Sequence, residues 1–288
     1  MTEQKTISAM KVAFQGERGA FSEDAARQLL GESAETLACR TFDEMFGAVA
    51  AGDAGCAVAP IENSLAGSVH KNYDLLMEHN LTIIGETNVR IAHNLIALMG
   101  ATLAEIRHAH SHPVALAQCE KFFRNHPQIE AQPAYDTAGS VKIVIERGDR
   151  QQAAIAGATA AAVYGAEILA RNIEDNPQNF TRFLLLTTPA RAGSINPAGS
   201  SERKTSIVFR VANQPGSLFR ALAVFSLRDI DMTKIESRPI EGRPWEYSFY
   251  LDVAGDQHEP KLARALAHLG EMTESIRVLG SYPRAKES

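Results

Sequence analysis

The sequence predicts an α/β protein in two parts: a mainly parallel α/β region over residues 10–188 and a smaller βαββαβ unit over 205–284. Three observations lead to this prediction. Strand-like and helix-like segments alternate through the first region. Residues 189–204 are rich in Pro, Gly, Ser and Ala, which is typical of a linker. The segments after this linker follow the order strand, helix, strand, strand, helix, strand.

The first lobe is expected to form a βαβαβ pattern. Its elements are strands over 11–15, 36–40 and 55–59 and helices over 22–30 and 43–51. Ser22 is predicted as the N-cap of the first helix because two acidic residues follow it. Pro60 is predicted to end the third strand because proline donates no main-chain hydrogen bond. This alternation predicts that ligands bind at the carboxyl ends of the strands.

Residues 81–99 are extended and β-branched with polar interruptions, and we interpret them as a crossover to a second α/β lobe. That lobe is expected to contain strands over 106–111 and 152–156 and helices over 113–125, 137–147 and 157–164. The final unit is expected to contain strands over 205–211, 231–239, 247–254 and 275–282 and helices over 218–228 and 260–269. This order is that of a ferredoxin-like unit.

Composition limits the classes of partner. The 288 residues are 45% hydrophobic and 22% charged, which is typical of a globular protein with a sizeable core. The net charge of −5 argues against a nucleic-acid partner, and no apolar window approaches the ~18 residues of a membrane-spanning helix. Three separated cysteines without a C-x-x-C pair predict neither a disulfide framework nor a zinc site. Because the polar amino terminus lacks a signal-peptide core, we expect a cytoplasmic protein with no membrane partner.

Four short motifs carry polar side chains that suit a ligand cleft. They are Asn179-Phe180-Thr181-Arg182-Phe183, Pro60-Ile61-Glu62-Asn63-Ser64, Ser111-His112-Pro113 with Gln118 and Cys119, and Asp136-Thr137-Ala138. Asn63 and Ser64 can donate hydrogen bonds to a carboxylate, and Gly67 permits either a close backbone approach or a turn. Ser111 and Thr137 lie where helices are predicted to begin, which suits an anion, although Thr137 fits an ordinary N-cap equally well.

Together these motifs resemble the catalytic domain of prephenate dehydratase, and the chain after residue 204 resembles the ACT domain, a small amino-acid-sensing unit. The resemblance covers nearly the whole chain. It implies a two-lobed catalytic domain resembling type II periplasmic binding proteins, and the decarboxylative dehydration of prephenate to phenylpyruvate without a metal or organic cofactor. It also implies feedback regulation by L-phenylalanine and a homodimer or homotetramer.

The resemblance implies a role for each motif. Thr181 is expected beside the leaving hydroxyl, acting by hydrogen bonding or relay because its own pKa is too high for an ordinary proton donor. Arg182 either pairs with a substrate carboxylate or supports the strand from behind, and Phe183 is expected to pack. Glu62 is expected to organise the cleft, since a carboxylate disfavours a dianionic substrate. Gln118 resembles a substrate-contacting glutamine.

Two further patterns are assigned no chemistry. His108, His110 and His112 alternate as a set of metal ligands on one side of a strand would, but no partner carboxylate is identifiable, and no metal site is predicted. The loop over 16–19 lacks the Gly-Lys-Ser/Thr ending of a phosphate-binding loop. It is expected to shape the cleft.

The ACT-like segment contains two motifs that match the family. They are the turn Pro215-Gly216-Ser217-Leu218 and the strand end Glu236-Ser237-Arg238-Pro239. The resemblance implies that both line an L-phenylalanine site formed between paired ACT domains. Main-chain amides at the start of a helix suit the carboxylate of such an effector.

The resulting prediction is a monofunctional, phenylalanine-regulated prephenate dehydratase, since only ten residues precede Lys11. Arogenate dehydratase, which performs the same elimination on the amino-bearing analogue, shares all these motifs and stays open as an alternative. A non-catalytic amino-acid-sensing binding protein is the alternative of a different class.

Overall fold

The structure, a computed structural model, describes residues 11–286. The described residues divide into two compact units. One contains the residues up to His79 together with Asn88–Phe183, and the other contains Asn80–Thr87 together with the residues from Leu184 onward. In this described part of the chain no helix is long and apolar enough to cross a membrane.

The first part of the chain folds in the alternating order that the sequence predicts. Its elements are β1 (Val12–Gln15), α1 (Phe21–Leu30), β2 (Thr36–Cys39), α2 (Phe42–Ala51), β3 (Cys56–Asn63), β4 (Gly67–Ser68), α3 (His70–Glu78) and β5 (Thr82–Arg90). β1 pairs in parallel with both β2 and β3. Thr41 caps α2, because its side chain accepts a hydrogen bond from the main-chain N–H of Glu44.

The predicted N-cap of α1 was wrong. The helix begins at Phe21 after Ala20, so Ser22 lies in the first turn, where it is buried. The side-chain hydrogen bond at this helix start is made by Glu23 instead, whose carboxylate accepts a 2.6 Å hydrogen bond from the main-chain N–H of Gly19. A glutamate in the first turn that reaches back in this way satisfies a donor just before the helix.

The predicted end of the third strand at Pro60 was also wrong, since β3 continues to Asn63. The pairing of β3 with β1 stops at Val58. Proline is tolerated in a strand where no ladder hydrogen bond requires its N–H. Pro60 therefore interrupts no hydrogen bond to β1.

The middle of the chain forms a second sheet and adds one more strand to the first. Its elements are β6 (Asn94–Ala97), β7 (His108–Ser111), α4 (Pro113–Ala117), α5 (Glu120–Asn125), β8 (Glu130–Pro133), α6 (Thr137–Arg147), β9 (Gln152–Ala156), α7 (Ala158–Tyr164), β10 (Glu167–Ala170) and β11 (Phe180–Thr187). The strand order is β2-β1-β3-β11-β5 in the first sheet, with β4 on β3, and β10-β6-β9-β7-β8 in the second. The single helix predicted over 113–125 is two helices, because Gln118 ends α4 and its carbonyl accepts a 2.7 Å hydrogen bond from the main chain of Asp175.

The carboxyl-terminal unit confirms the predicted βαββαβ order. Its elements are β12 (Arg203–Arg210), α8 (Ser217–Ser226), β13 (Met232–Ile240), β14 (Arg243–Ala254), α9 (Pro260–Met272) and β15 (Ser275–Pro283). The four strands are antiparallel in the order β13-β14-β12-β15. Ile207 and Phe209 of the sheet are buried in one core with Val224, Phe225 and Leu269 of the helices. A short 3-10 helix over Pro189–Ser194 occupies part of the predicted linker.

Candidate active site

A cavity of about 540 Å³ lies in the first unit. Its lining combines strand ends, helix starts and loops of both lobes, among them Asn63, Gly67, His93, Gln118, Thr137, Thr181 and Phe183. Among the described residues that line it there is no lysine or arginine, and Asp136 is the one acidic side chain. An anion in this cavity would therefore be held by amide and hydroxyl groups and by main-chain N–H groups at helix starts.

Thr181, the second residue of β11, is oriented by Asn63 at the end of β3. The Asn63 side-chain oxygen accepts hydrogen bonds from the main-chain N–H groups of Leu65 and Ala66, at 3.0 and 2.8 Å. The amide nitrogen of Asn63 consequently faces Thr181, and Nδ2 lies 3.0 Å from Thr181 Oγ1. Because Oγ1 accepts this hydrogen bond, the hydroxyl proton of Thr181 is left for a partner in the cavity.

A chain of amides continues from Asn63 to His93. Asn63 Nδ2 donates to Asn179 Oδ1 at 2.7 Å, and Asn179 Nδ2 donates to Gln118 Oε1 at 2.9 Å. His93 Nε2 lies 3.0 Å from the same Gln118 oxygen. Burial lowers the pKa of His93, although the contact with Gln118 and the charge of Glu174 act in the opposite direction. His93 is therefore a neutral imidazole near pH 7.

Glu62 and Arg182, which are both predicted site residues, pair with each other. Arg182 Nη1 lies 3.1 Å from Glu62 Oε1, and the Arg182 side chain is only 10% exposed. Neither is among the residues that line the cavity. This pair joins β3 to β11 directly beside the contact between Asn63 and Thr181, which favours the interpretation of Arg182 as a support for the strand.

The hydroxyl groups of Ser64 and Ser111 form hydrogen bonds with main-chain groups. Ser64 Oγ donates to the carbonyl of Gln178 and accepts from the N–H of Phe180, both at 3.0 Å. Ser111 Oγ is fully buried and donates to the carbonyl of Ile155 at 2.6 Å. Neither serine lines the cavity, so both fasten the segments that carry it.

Thr137 lies at the start of α6, with Asp136 as the N-cap residue. Asp136 Oδ2 accepts a 2.8 Å hydrogen bond from the main-chain N–H of Gly139. Burial raises the pKa of Asp136, with a smaller contribution from the negative charge of Glu17, while main-chain hydrogen bonds act in the opposite direction. Thr137 is thus the first helical residue rather than the cap, and both residues line the cavity.

The glycine loop over 16–19 packs tightly against α7, and its role in shaping the cleft stays a prediction. Gly19 has φ +84°, and a Cβ at this position would lie 2.6 Å from the Cα of Ala160 in α7. Only glycine allows this approach without displacement of the backbone. Gln15, which precedes the loop, lines the cavity.

The three alternating histidines have separate partners. His108 Nδ1 lies 3.5 Å from Glu130, a carboxylate partner that the sequence did not reveal. His110 Nε2 lies 2.6 Å from Gln152 Oε1, and His112 lines the cavity. Over residues 11–286, no group of three or more His, Cys, Asp or Glu side chains is arranged to hold a metal ion. Burial raises the pKa of the Cys119 thiol to about 12, in keeping with a packed thiol.

Sequence reasoning missed His93 and gave no role to Asn179. Both are buried polar residues, at 2% and 0% exposure. His93 and Asn94 were visible as a polar interruption of an apolar extended segment, and Asn179 belonged to the motif that carries Thr181. Buried polar groups need partners, so such interruptions are a usable signal for a site.

The predicted effector motifs lie at a helix start and on an edge strand of the carboxyl-terminal unit. Gly216 has φ +81° and is the N-cap residue of α8, and Ser217 accepts a 3.2 Å hydrogen bond from Arg220. Glu236 lies on β13, 3.8 Å from Lys234. The assignment of the two motifs to an effector site stays a prediction.

The fold and the cavity define an α/β enzyme with an appended ACT-type regulatory unit. A family model described as prephenate dehydratase matches residues 12–191, and one described as ACT domain matches residues 205–271. The chain belongs to the prephenate dehydratase family, and its class is that of the carbon–oxygen lyases.

Similar proteins are known from plants and bacteria. The chloroplastic arogenate dehydratase/prephenate dehydratase 2 of Arabidopsis thaliana is 42% identical over 285 residues, which cover 96% of this chain and 73% of that protein. The bifunctional chorismate mutase/prephenate dehydratase of Aquifex aeolicus is 37% identical over 277 residues, which cover 96% of this chain and 74% of that protein.

Two solved structures share the whole architecture. The prephenate dehydratase from Arthrobacter aurescens in complex with L-Phe has a TM-score of 0.85 at 34% identity, covering 96% of this chain and 90% of that chain. GqqA, described as a novel type of quorum quenching acylase, has a TM-score of 0.85 at 39% identity, covering 95% of this chain and 98% of that chain.

Proposed function

We propose that this chain converts prephenate to phenylpyruvate, CO2 and water, and that L-phenylalanine regulates this reaction through the ACT domain. The observation that carries the catalytic half is the hydroxyl of Thr181, which lines the cavity and is turned into a donor by Asn63. The family membership and the L-Phe complex of the similar Arthrobacter aurescens enzyme support the regulatory half.

The reaction needs a donor beside the leaving group more than it needs a strong acid. As the ring carboxylate departs as CO2, the electron pair of the broken C–C bond enters the ring, and the C–O bond to the hydroxyl breaks. The hydroxyl leaves as water after it takes up a proton, and the gain of aromaticity supplies most of the driving force. A hydrogen bond from Thr181 Oγ1 stabilises the negative charge that develops on this oxygen.

The carboxylates of the substrate are held without arginine or lysine side chains from the described lining of the cavity. The groups available instead are the Gln118 amide, the Thr137 hydroxyl and the main-chain N–H groups where α1 begins, since Asp136 caps the start of α6. Helix starts favour anions because their N–H groups are unpaired and the helix dipole is positive there. Predicted binding roles for Gly67, Gln118 and Thr137 fit this arrangement, whereas the Asn63 amide directs its N–H groups at Asn179 and Thr181 and orients the latter.

Arogenate is the alternative substrate, and one feature of the cavity keeps it open. Arogenate carries an ammonium group where prephenate carries a carbonyl, and Asp136 places a carboxyl group in the lining. An ionised Asp136 would favour the ammonium group, whereas a protonated one would not. The similar protein of Arabidopsis thaliana carries both activities in its name.

The test is turnover of the purified protein with prephenate and, separately, with arogenate, each with and without L-phenylalanine. Formation of phenylpyruvate that responds to L-phenylalanine supports both halves of the proposal. A higher kcat/KM with arogenate than with prephenate would make arogenate the preferred substrate and would leave the proposed mechanism unchanged. Folded protein that binds L-phenylalanine and turns over neither compound would leave the sensor alternative.

Assembly and location belong to the same proposal. We expect the protein to lie in the cytoplasm. We also expect a homodimer or homotetramer, since effector sites of the family form between paired ACT domains. Light scattering coupled to size-exclusion chromatography gives the number of chains per particle, with and without L-phenylalanine. A monomer at micromolar concentration with the effector bound would contradict the expected assembly.

A further inference from the structure

His93 is a buried titratable residue of the cavity to which the proposed reaction gives no role. It is 2% exposed and contributes to the lining. Its Nε2 atom lies 3.0 Å from Gln118 Oε1. Its Nδ1 atom is buried and has no hydrogen-bond partner among the residues the structure describes.

The direction of every hydrogen bond between Thr181 and His93 follows from the main chain. The N–H groups of Leu65 and Ala66 occupy Asn63 Oδ1, so Asn63 Nδ2 is the donor to Asn179 Oδ1. Each amide has one oxygen and one nitrogen, and Asn179 Nδ2 is consequently the donor to Gln118 Oε1. The Gln118 oxygen therefore faces His93, which must present an N–H at Nε2.

The main chain around His93 holds the imidazole in this position. Its N–H donates to Glu174 Oε2 at 2.9 Å, and its carbonyl accepts from the N–H of Ile173 at 2.9 Å. Glu174 is itself paired with Arg90 at 2.8 Å. The Phe21 ring and the imidazole pack in a T-shaped arrangement with 5.9 Å between ring centroids. The ring thus has little freedom to turn away from Gln118.

Gln118 Oε1 accepts hydrogen bonds from Asn179 Nδ2 and His93 Nε2, so the amide nitrogen is the group that can act in the cavity. Gln118 Nε2 has no hydrogen-bond partner within residues 11–286, and the side chain lines the cavity. We propose that His93, as the Nε2–H tautomer, is a positioning residue that holds the Gln118 amide so that Nε2 donates to an oxygen of the substrate. This inference rests on the proposed dehydratase function and adds to it the group that orients a substrate contact.

The kinetic test compares two substitutions of the same residue. His93→Leu removes the N–H donor, whereas the amide nitrogen of His93→Gln can occupy the position of Nε2. Since the Gln118 contact forms on substrate binding, His93→Leu is expected to raise KM about tenfold with kcat changed less than about threefold. His93→Gln is expected to stay within about threefold of the wild-type KM. Equal losses in the two variants, or an unchanged KM in His93→Leu, would overturn the proposal.

A double substitution separates positioning from a general structural role. If His93 acts through Gln118, His93→Leu adds no more than about twofold to the KM of Gln118→Leu. If the increase of KM in the double variant equals the product of the increases in the two single variants, His93 acts independently of Gln118 and the proposal is rejected.

The tautomer gives a measurement that does not depend on turnover. Protein labelled with ¹⁵N-histidine, with His93 assigned by its absence in His93→Gln, is expected to show a neutral ring protonated at Nε2 at pH 7.5. A ring protonated at Nδ1, or at both nitrogens, would contradict the geometry. If the wild-type protein turns over neither prephenate nor arogenate, the proposed function fails, while this spectrum still tests the orientation of His93 and Gln118.

Discussion

Asn63 Nδ2 lies 3.0 Å from Thr181 Oγ1, and this contact joins the carboxyl end of β3 to the amino end of β11. The two residues are 118 positions apart in sequence. The contact makes the threonine oxygen an acceptor and so directs its proton elsewhere. A side chain without useful acidity thereby becomes an oriented donor.

Thr181→Val replaces this hydroxyl by a methyl group of similar volume. We expect kcat to fall by about 100-fold or more, because the removed donor acts on charge that develops only in the transition state. The loss of one hydrogen bond to Asn63 should lower the free energy of unfolding by only about 1 kcal/mol. Steady-state kinetics with prephenate and urea denaturation measure the two effects.

Thr181→Ser is the matched control, since it keeps the hydroxyl and removes only the methyl group. It should retain a substantial part of kcat, and both variants should bind L-phenylalanine as the wild type does. A Thr181→Val enzyme with more than a tenth of the wild-type kcat would rule out this role for the hydroxyl.

The pair Glu62–Arg182 should contribute to stability and little to substrate affinity. Glu62→Gln leaves the Arg182 guanidinium, whose side chain is 10% exposed, without the charge of its partner at 3.1 Å. We expect the free energy of unfolding to fall by about 1–3 kcal/mol, because a mostly buried guanidinium loses one ion pair, while KM stays within about twofold. Urea denaturation and initial rates with prephenate measure these quantities.

The companion variant Arg182→Met decides between the two roles that the sequence left open for this arginine. If Arg182 supports the strand, the variant loses stability and keeps its KM. An increase of KM of tenfold or more, with stability retained, would show instead that Arg182 binds a substrate carboxylate.

The fold could be predicted because its signals are local. Alternating apolar segments gave the α/β lobes, and the six elements of 205–284 gave the ferredoxin-like unit. The errors arose where the contact of one particular side chain, or the extent of the pairing between two strands, determines the local structure. Glu23 rather than Ser22 caps the region before α1, and Pro60 continues a strand because the pairing with β1 stops at Val58.

The candidate site could be predicted only in part for the same reason. Motifs at strand and helix ends identified side chains that do line the cavity, such as Asn63, Gln118 and Thr181. Whether a hydroxyl faces a ligand or a carbonyl depends on which segment of the same chain packs against it, and that segment can be distant in sequence. Ser111 donates to a main-chain carbonyl 44 residues away, which no local pattern reveals.

Gly19 should be the least replaceable position of the glycine loop over residues 16–19. Gly19→Ala combines a left-handed φ of +84° with a Cβ 2.6 Å from the Cα of Ala160, so the backbone of α7 must move. Gly31→Ala is the matched control, since Gly31 has φ +92° and nothing within 4 Å of the added Cβ. We expect a loss of about 1 kcal/mol in the control and at least about 2 kcal/mol more in Gly19→Ala. If urea denaturation shows equal losses of the free energy of unfolding in Gly19→Ala and Gly31→Ala, α7 can move without cost and only the positive φ opposes the substitution.

Acidification should destabilise the protein through His93. Burial lowers the pKa of this imidazole below its ordinary value of 6.5. The unfolded chain therefore binds a proton at His93 at a higher pH than the folded protein does. As the pH falls from 7.5 through 6.5 toward the lower pKa of the folded state, protons favour the unfolded chain, and the free energy of unfolding decreases by up to about 1.4 kcal/mol per pH unit.

His93→Gln has no group that titrates at this position, so the difference in stability between the wild type and this variant isolates the effect. Asp136, whose raised pKa has the opposite consequence because the folded state binds its proton more readily, is present in both proteins and cancels in the difference. Urea denaturation at pH 7.5 and pH 5 is the measurement. The wild type is expected to lose more free energy of unfolding than His93→Gln between these two values. Parallel losses in the two proteins would show that His93 titrates with an ordinary pKa, which would contradict a buried neutral imidazole beside Gln118.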